Sequence, residues 1–121
     1  MFMVGLFSYP KRKIRKLIQK GEYAEAINLG KNIENEYSND HDFMFIMGSA
    51  YSLVDEPQKA LPYFEKAYQI NKKDVETLTL KTNVHLALQQ KDEAIQCCKE
   101  ILEIEPKNSE ASDLLDKLES L

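Results

Sequence analysis

A chain of 121 residues, 43% hydrophobic and 30% charged, is about the size of one domain and can bury a core without metal or disulfide support. Its 16 basic and 20 acidic side chains leave a net charge of −4. That balance argues against a general nucleic-acid binder, whose affinity comes from neutralising phosphates.

Residues 1–9 are apolar and are followed, not preceded, by the basic run Lys11 to Lys16. A secretory signal has the opposite order, and no stretch is long enough to span a bilayer, so a cytoplasmic location is the expectation. The basic run predicts a helix with a narrow stripe of Ile14, Leu17 and Ile18. A second helix carries Tyr23, Ala26, Ile27, Leu29 and Ile33, with Gly30 inside it. Next come Phe43, Met44, Ile46, Met47, Ala50, Tyr51 and Val54 at spacings of three and four, then a break at Asp55-Glu56-Pro57. The following stripe is Ala60, Leu61, Phe64, Ala67, Tyr68 and Ile70, and Pro62 within it predicts a small bend at most. Val75, Leu78, Leu80, Val84, Leu86 and Leu88 lead to a turn at residues 89–91, and Ala94, Ile95, Cys98, Ile101, Leu102 and Ile104 follow. A last helix sets Ala111, Leu114, Leu115, Leu118 and Leu121 on one face and charged residues on the other, the dress of an end cap.

These stripes repeat. Ala26, Ala60 and Ala94 stand 34 residues apart, as do Ile27, Leu61 and Ile95, and Asp40, Asp74 and Asn108. The last three carry short polar side chains suited to capping a helix start. The chain divides into units 7–40, 41–74 and 75–108, with residues 1–6 before them and a capping helix over 109–121. The fold class is therefore all-α, a stack of antiparallel helix pairs of the α-solenoid kind: three repeats plus the cap. At the place of Phe64 the first unit has Gly30, and an unfilled phenyl-sized space there would cost several kcal/mol. The expectation is that Phe2, Val4, Leu6 or Phe7 packs over it.

Catalytic chemistry has little material. No Gly-rich phosphate loop, Ser-His-Asp set or Cys-His pairing is present, and no cofactor motif appears. Cys97 and Cys98 are adjacent, where helix side chains diverge, so they read as a reduced thiol pair rather than a disulfide or zinc site. The chain reads as non-enzymatic.

The second unit contains Met44-x2-Met47-Gly48-x2-Tyr51 and then Ala60-x3-Phe64; the third has Leu78-x2-Lys81-Thr82-x2-His85, Ala94-x3-Cys98 and Pro106. This pattern resembles the tetratricopeptide repeat. Gly48 and Ala60 would be small where two helices approach, with Tyr51 and Phe64 beside them, and His85 would be a packed substitute for an aromatic ring. The resemblance implies a right-handed superhelix whose concave groove binds an extended peptide or a helix of another protein. Carried over by position, the groove residues are Lys11, Arg15, Phe45, Ser49, Ser52, Glu76, Thr79 and Asn83, with Phe45 the apolar anchor. One subclass grips the C-terminal carboxylate of cytosolic heat-shock chaperones; its places here hold Lys11, Arg15, Ile46, Thr79 and Asn83, and only the first matches. Lys11 and Arg15, one helical turn apart, still suit an acidic group. Two alternatives involve residues 1–9: a peripheral membrane contact aided by the basic run, or a homodimer through that segment.

Overall fold

A computed structural model describes residues 2–121, with side chains from Tyr9 onward. Among these residues the stripes fold as seven α-helices: α1 (Phe2–Gln19), α2 (Tyr23–Ile33), α3 (His41–Leu53), α4 (Pro57–Ile70), α5 (Val75–Ala87), α6 (Lys91–Ile104) and α7 (Ser109–Glu119). A 3-10 helix, Glu34–Tyr37, prolongs α2 and was not anticipated. The helices pack as neighbouring pairs, α1 with α2, α3 with α4 and α5 with α6, and α7 closes against α6. α4 continues through Pro62, and Pro57 occupies the first turn, where a missing amide costs little.

Each pair turns in the same way. Gly21, Asp55 and Gln89, again 34 residues apart, take left-handed backbone at φ 78°, 59° and 59°. The amide of the next residue reaches back five positions in each case: Glu22 to Leu17 O at 2.8 Å, Glu56 to Tyr51 O at 3.0 Å and Gln90 to His85 O at 2.8 Å. This is the Schellman ending, which satisfies carbonyls the helix leaves open and favours glycine at the left-handed residue. Only Gly21 has the favoured side chain. Gln89→Gly is accordingly expected to raise stability by about 1 kcal/mol, because it relieves the clash between Cβ and the following carbonyl. Urea denaturation reads the change; an unmoved or lowered midpoint would contradict it.

Two of the three anticipated caps form. Asp40 Oδ1 accepts from the Phe43 amide and Asn108 Oδ1 from the Ala111 amide, both at 2.9 Å. Asp74 does not cap α5. Its carboxylate instead accepts from Thr77 Oγ1 at 2.6 Å and lies 3.1 Å from His41 Nε2, so it ties the start of α5 to the start of α3.

Ala26, Ala60 and Ala94 are fully buried, as their repeated small size requires. The register also distributes volume. At one position the three pairs hold Ile14, Gly48 and Thr82; at the position that faces it in the tightest pair they hold Gly30, Phe64 and Cys98. A Cβ placed on Gly48 would stand 2.7, 2.8 and 2.9 Å from three Phe64 ring atoms, so the glycine makes room for the phenyl. The first pair reverses the sizes, with Ile14 fully buried. The space at Gly30 is taken by Met47 of α3, whose Cε would lie 2.7 Å from an added Cβ, with Sδ closer. A flexible thioether suits such a gap. The expectation that Phe2, Val4, Leu6 or Phe7 packs over this space concerns side chains that lie outside the described residues.

Two members of the predicted stripes are exposed: Ile70 at 38% and Leu121 at 86%. Both stand at or beyond the last residue of their helices, where the face no longer meets a neighbour. Thr77, Thr82 and His85 are buried polar residues of α5. Thr82 Oγ1 donates to Leu78 O at 2.8 Å and His85 Nδ1 lies 2.7 Å from Gln90 Oε1, in keeping with His85 as a packed ring. Cys97 and Cys98 are buried free thiols, and burial raises the pKa of both. Tyr63 OH of α4 donates to Glu34, and Tyr68 OH donates to Glu100 of α6 at 2.8 Å, which pushes the Tyr68 phenol up to about 12.

Candidate functional site

α1, α3 and α5, the first helices of the three pairs, border a cleft of about 540 Å³. Its lining comprises Arg15, Ile18 and Gln19 from α1, His41, Asp42, Phe45, Ile46 and Ser49 from α3, Asn71 and Asp74 from the α4–α5 connection, and Glu76 from α5. Phe45 is half-buried and rests edge-on against Phe64, with ring centroids 6.1 Å apart and planes at 73°. His41 stacks over its other side at 6.3 Å. The anchor ring is therefore held by the core beneath it and presents its remaining surface to the cleft.

Of the groove residues expected from sequence, Arg15, Phe45, Ser49 and Glu76 meet here. Thr79 and Asn83 line a separate crevice of about 20 Å³ with Cys98, Asn108, Glu110, Ala111 and Leu114, where α5, α6 and α7 meet. Ser52 is exposed and lines neither space. Lys11 lines neither as well, because its Nζ lies 2.8 Å from Asp40 Oδ2 and 5.8 Å above the Tyr37 ring. Burial raises the Asp40 carboxyl, but hydrogen bonds from Lys11 and the Phe43 amide outweigh it and hold the pKa below the ordinary value. Arg15 Nη2 stands 3.5 Å from Asp42 Oδ2. The two cations suited to an acidic ligand are thus already matched by carboxylates of the chain itself.

Asp42 and Ile18 were not among the expected groove residues, although each follows from them by a shift of 34: Asp42 shares its position with Glu76, and Ile18 with Ser52. His41 and Asp74 had no such signal. They enter the cleft wall through their mutual contact across the α3–α5 boundary.

Elsewhere, a furrow of about 720 Å³ between α2 and α4 is floored by Tyr51 and Tyr63, stacked at 5.6 Å, with Lys31, Lys59 and Lys66 along it. Two of these lysines are engaged, Lys31 with Glu34 at 3.5 Å and Lys59 with Glu56 at 3.2 Å. No helix among the described residues is long and apolar enough to cross a membrane.

A family model described as tetratricopeptide repeat matches residues 55–118. No curated protein matches the sequence. Among solved structures, the first TPR of Spaghetti (RPAP3) bound to HSP90 peptide SRMEEVD is similar, at 25% identity and a TM-score of 0.82, over 93% of this chain and 89% of that one. The first TPR domain of human RPAP3 is 27% identical with a TM-score of 0.75, over 92% and 87% of the two chains. PcrH in complex with the chaperone binding region of PopD shares the fold at 12% identity, with a TM-score of 0.85 over 95% and 92%.

Proposed function

The chain belongs to the tetratricopeptide repeat family, and from that premise we propose that it is a non-enzymatic scaffold, an adaptor that seats a peptide or helix of a partner protein in the α1/α3/α5 cleft. Its units are residues 7–40, 41–74 and 75–108, closed by the capping segment 109–121, whose helix is α7. The observation that carries the reading is the Phe45 ring, fixed from below by Phe64 and from the side by His41, yet half-open to a cleft of about 540 Å³. Support comes from the structure of the first Spaghetti TPR, a 25%-identical chain solved with a bound peptide. That peptide is acidic at its end, and this chain offers Ile46, Thr79 and Asn83 at places where a carboxylate-gripping subclass has other side chains. Peptide binding in general is therefore the part of the comparison taken over.

Ser49 gives a clean test, since it lines the cleft without belonging to the core. Ser49→Trp should fill the cleft and abolish capture of a partner in a pull-down while the melting curve stays close to that of the parent. Equal recovery of the same partner by parent and variant would refute the cleft. The membrane alternative has no observation in its favour.

A further inference from the structure

We infer that the segment seated in the α1/α3/α5 cleft carries a lysine or arginine beside an apolar side chain, and that acidic segments are refused; this rests on the cleft being the binding site. Three carboxylates, Asp42, Asp74 and Glu76, line the cleft against the guanidinium of Arg15, and the His41 ring lies 3.1 Å from Asp74 and 3.9 Å from Asp42. They are not equivalent. Asp74 is held by Thr77 and His41, and its negative charge is fixed in the wall. Asp42 is 61% exposed and shares Arg15 at 3.5 Å, a pair that solvent screens strongly. Glu76 is exposed and has no ion-pair partner among the described residues.

The second cation that would ease this imbalance is absent from the cleft. Lys11, the one residue that matches a carboxylate-gripping pattern, is spent on Asp40 at 2.8 Å and is only 20% exposed. An entering carboxylate would meet three like charges, and the groups that could offset them, Arg15 and His41, already face Asp42 and Asp74. An entering ammonium or guanidinium finds Glu76 unmatched and Asp42 only loosely held. Beside these charges Ile18, Phe45 and Ile46 supply the apolar contact, so the complementary segment is one of mixed basic and apolar character.

The test uses the full chain and two pools of short fluorescent peptides, capped at both ends so that no terminal charge takes part. Both pools share leucine, isoleucine or phenylalanine at two positions one helical turn apart. The flanking positions are lysine or arginine in one pool and aspartate or glutamate in the other. Fluorescence anisotropy at low and high salt should show the basic pool bound, more tightly at low salt, and the acidic pool unbound. Glu76→Lys should weaken the basic pool about ten-fold, and Glu76→Gln about three-fold. Ser49→Trp should abolish binding. Binding of the acidic pool that Ser49→Trp removes would overturn the charge inference while leaving the cleft as the site. Basic-pool binding indifferent to Ser49→Trp and to both Glu76 variants would overturn the location. Failure of both pools would overturn this inference and the reading beneath it together.

Discussion

Phe64→Ala is expected to cost about 3–5 kcal/mol, because a fully buried phenyl leaves a cavity its surroundings close only in part. The surroundings are particularly unable to close it. The ring lies against Gly48, which has no side chain to lean inward, and supports Phe45 from below at 6.1 Å. α3 and α4 are also the central pair, with α2 packed on one side and α5 on the other. In a stacked array, loss at the middle weakens the contact to both neighbours. At about 4 °C per kcal/mol for a domain of this size, the melting temperature should fall by about 12–20 °C. Cys98→Ala, at the same register position of the next pair, removes one sulfur and should cost about 1 kcal/mol. Equal losses at Phe64 and Cys98 would show that the register position, and not the Phe64–Gly48 fit, sets the stability.

What could be read from the sequence was whatever the 34-residue period controls. Alanine at 26, 60 and 94 marks a close approach because only a small side chain recurs there, and all three are fully buried. The turns at Asp55 and Gln89 were visible as breaks, but their left-handed backbone was masked by side chains that disfavour it; only Gly21 advertised the shared geometry. Contacts between pairs were the illegible part. Nothing local says that Met47 reaches across to Gly30, since that depends on how closely α3 lies against α2. Nor does spacing reveal that Lys11 pairs with Asp40, 29 residues away, or that Asp74 turns from its own helix toward His41. Those two pairings decide the charge of the cleft. They convert a basic helix face, which suggested an acidic ligand, into a site whose unmatched charge is negative. Of the expected groove positions, Arg15, Phe45, Ser49 and Glu76 line the cleft and Lys11, Ser52, Thr79 and Asn83 do not, while the cleft's electrostatics were not readable from the repeat at all.

Gly48→Ala is expected to change sign with its neighbour. Glycine inside a helix is about 1 kcal/mol worse than alanine, so at an open position the substitution would stabilise α3. Gly48 is not open: the new methyl would sit 2.7–2.9 Å from the Phe64 ring, inside van der Waals contact, and the fully buried ring has no free space to move into. Overpacking of this kind costs about 1–3 kcal/mol beyond the propensity gain, leaving the single variant clearly destabilised. In the Phe64→Ala background the obstruction is gone, and the same methyl occupies part of the cavity. There Gly48→Ala should stabilise by about 1 kcal/mol or more. A double-mutant cycle read by urea unfolding gives the coupling directly, and a value near zero would mean that Gly48 is small for a reason other than the phenyl ring. Because Phe64 also supports Phe45, the double variant should recover stability without recovering the cleft: its anchor ring would rest on two methyl groups where it now rests on a phenyl edge. Stability and partner binding would then separate in one pair of substitutions, which is the behaviour expected when a repeat scaffold uses its core to aim a side chain at a ligand.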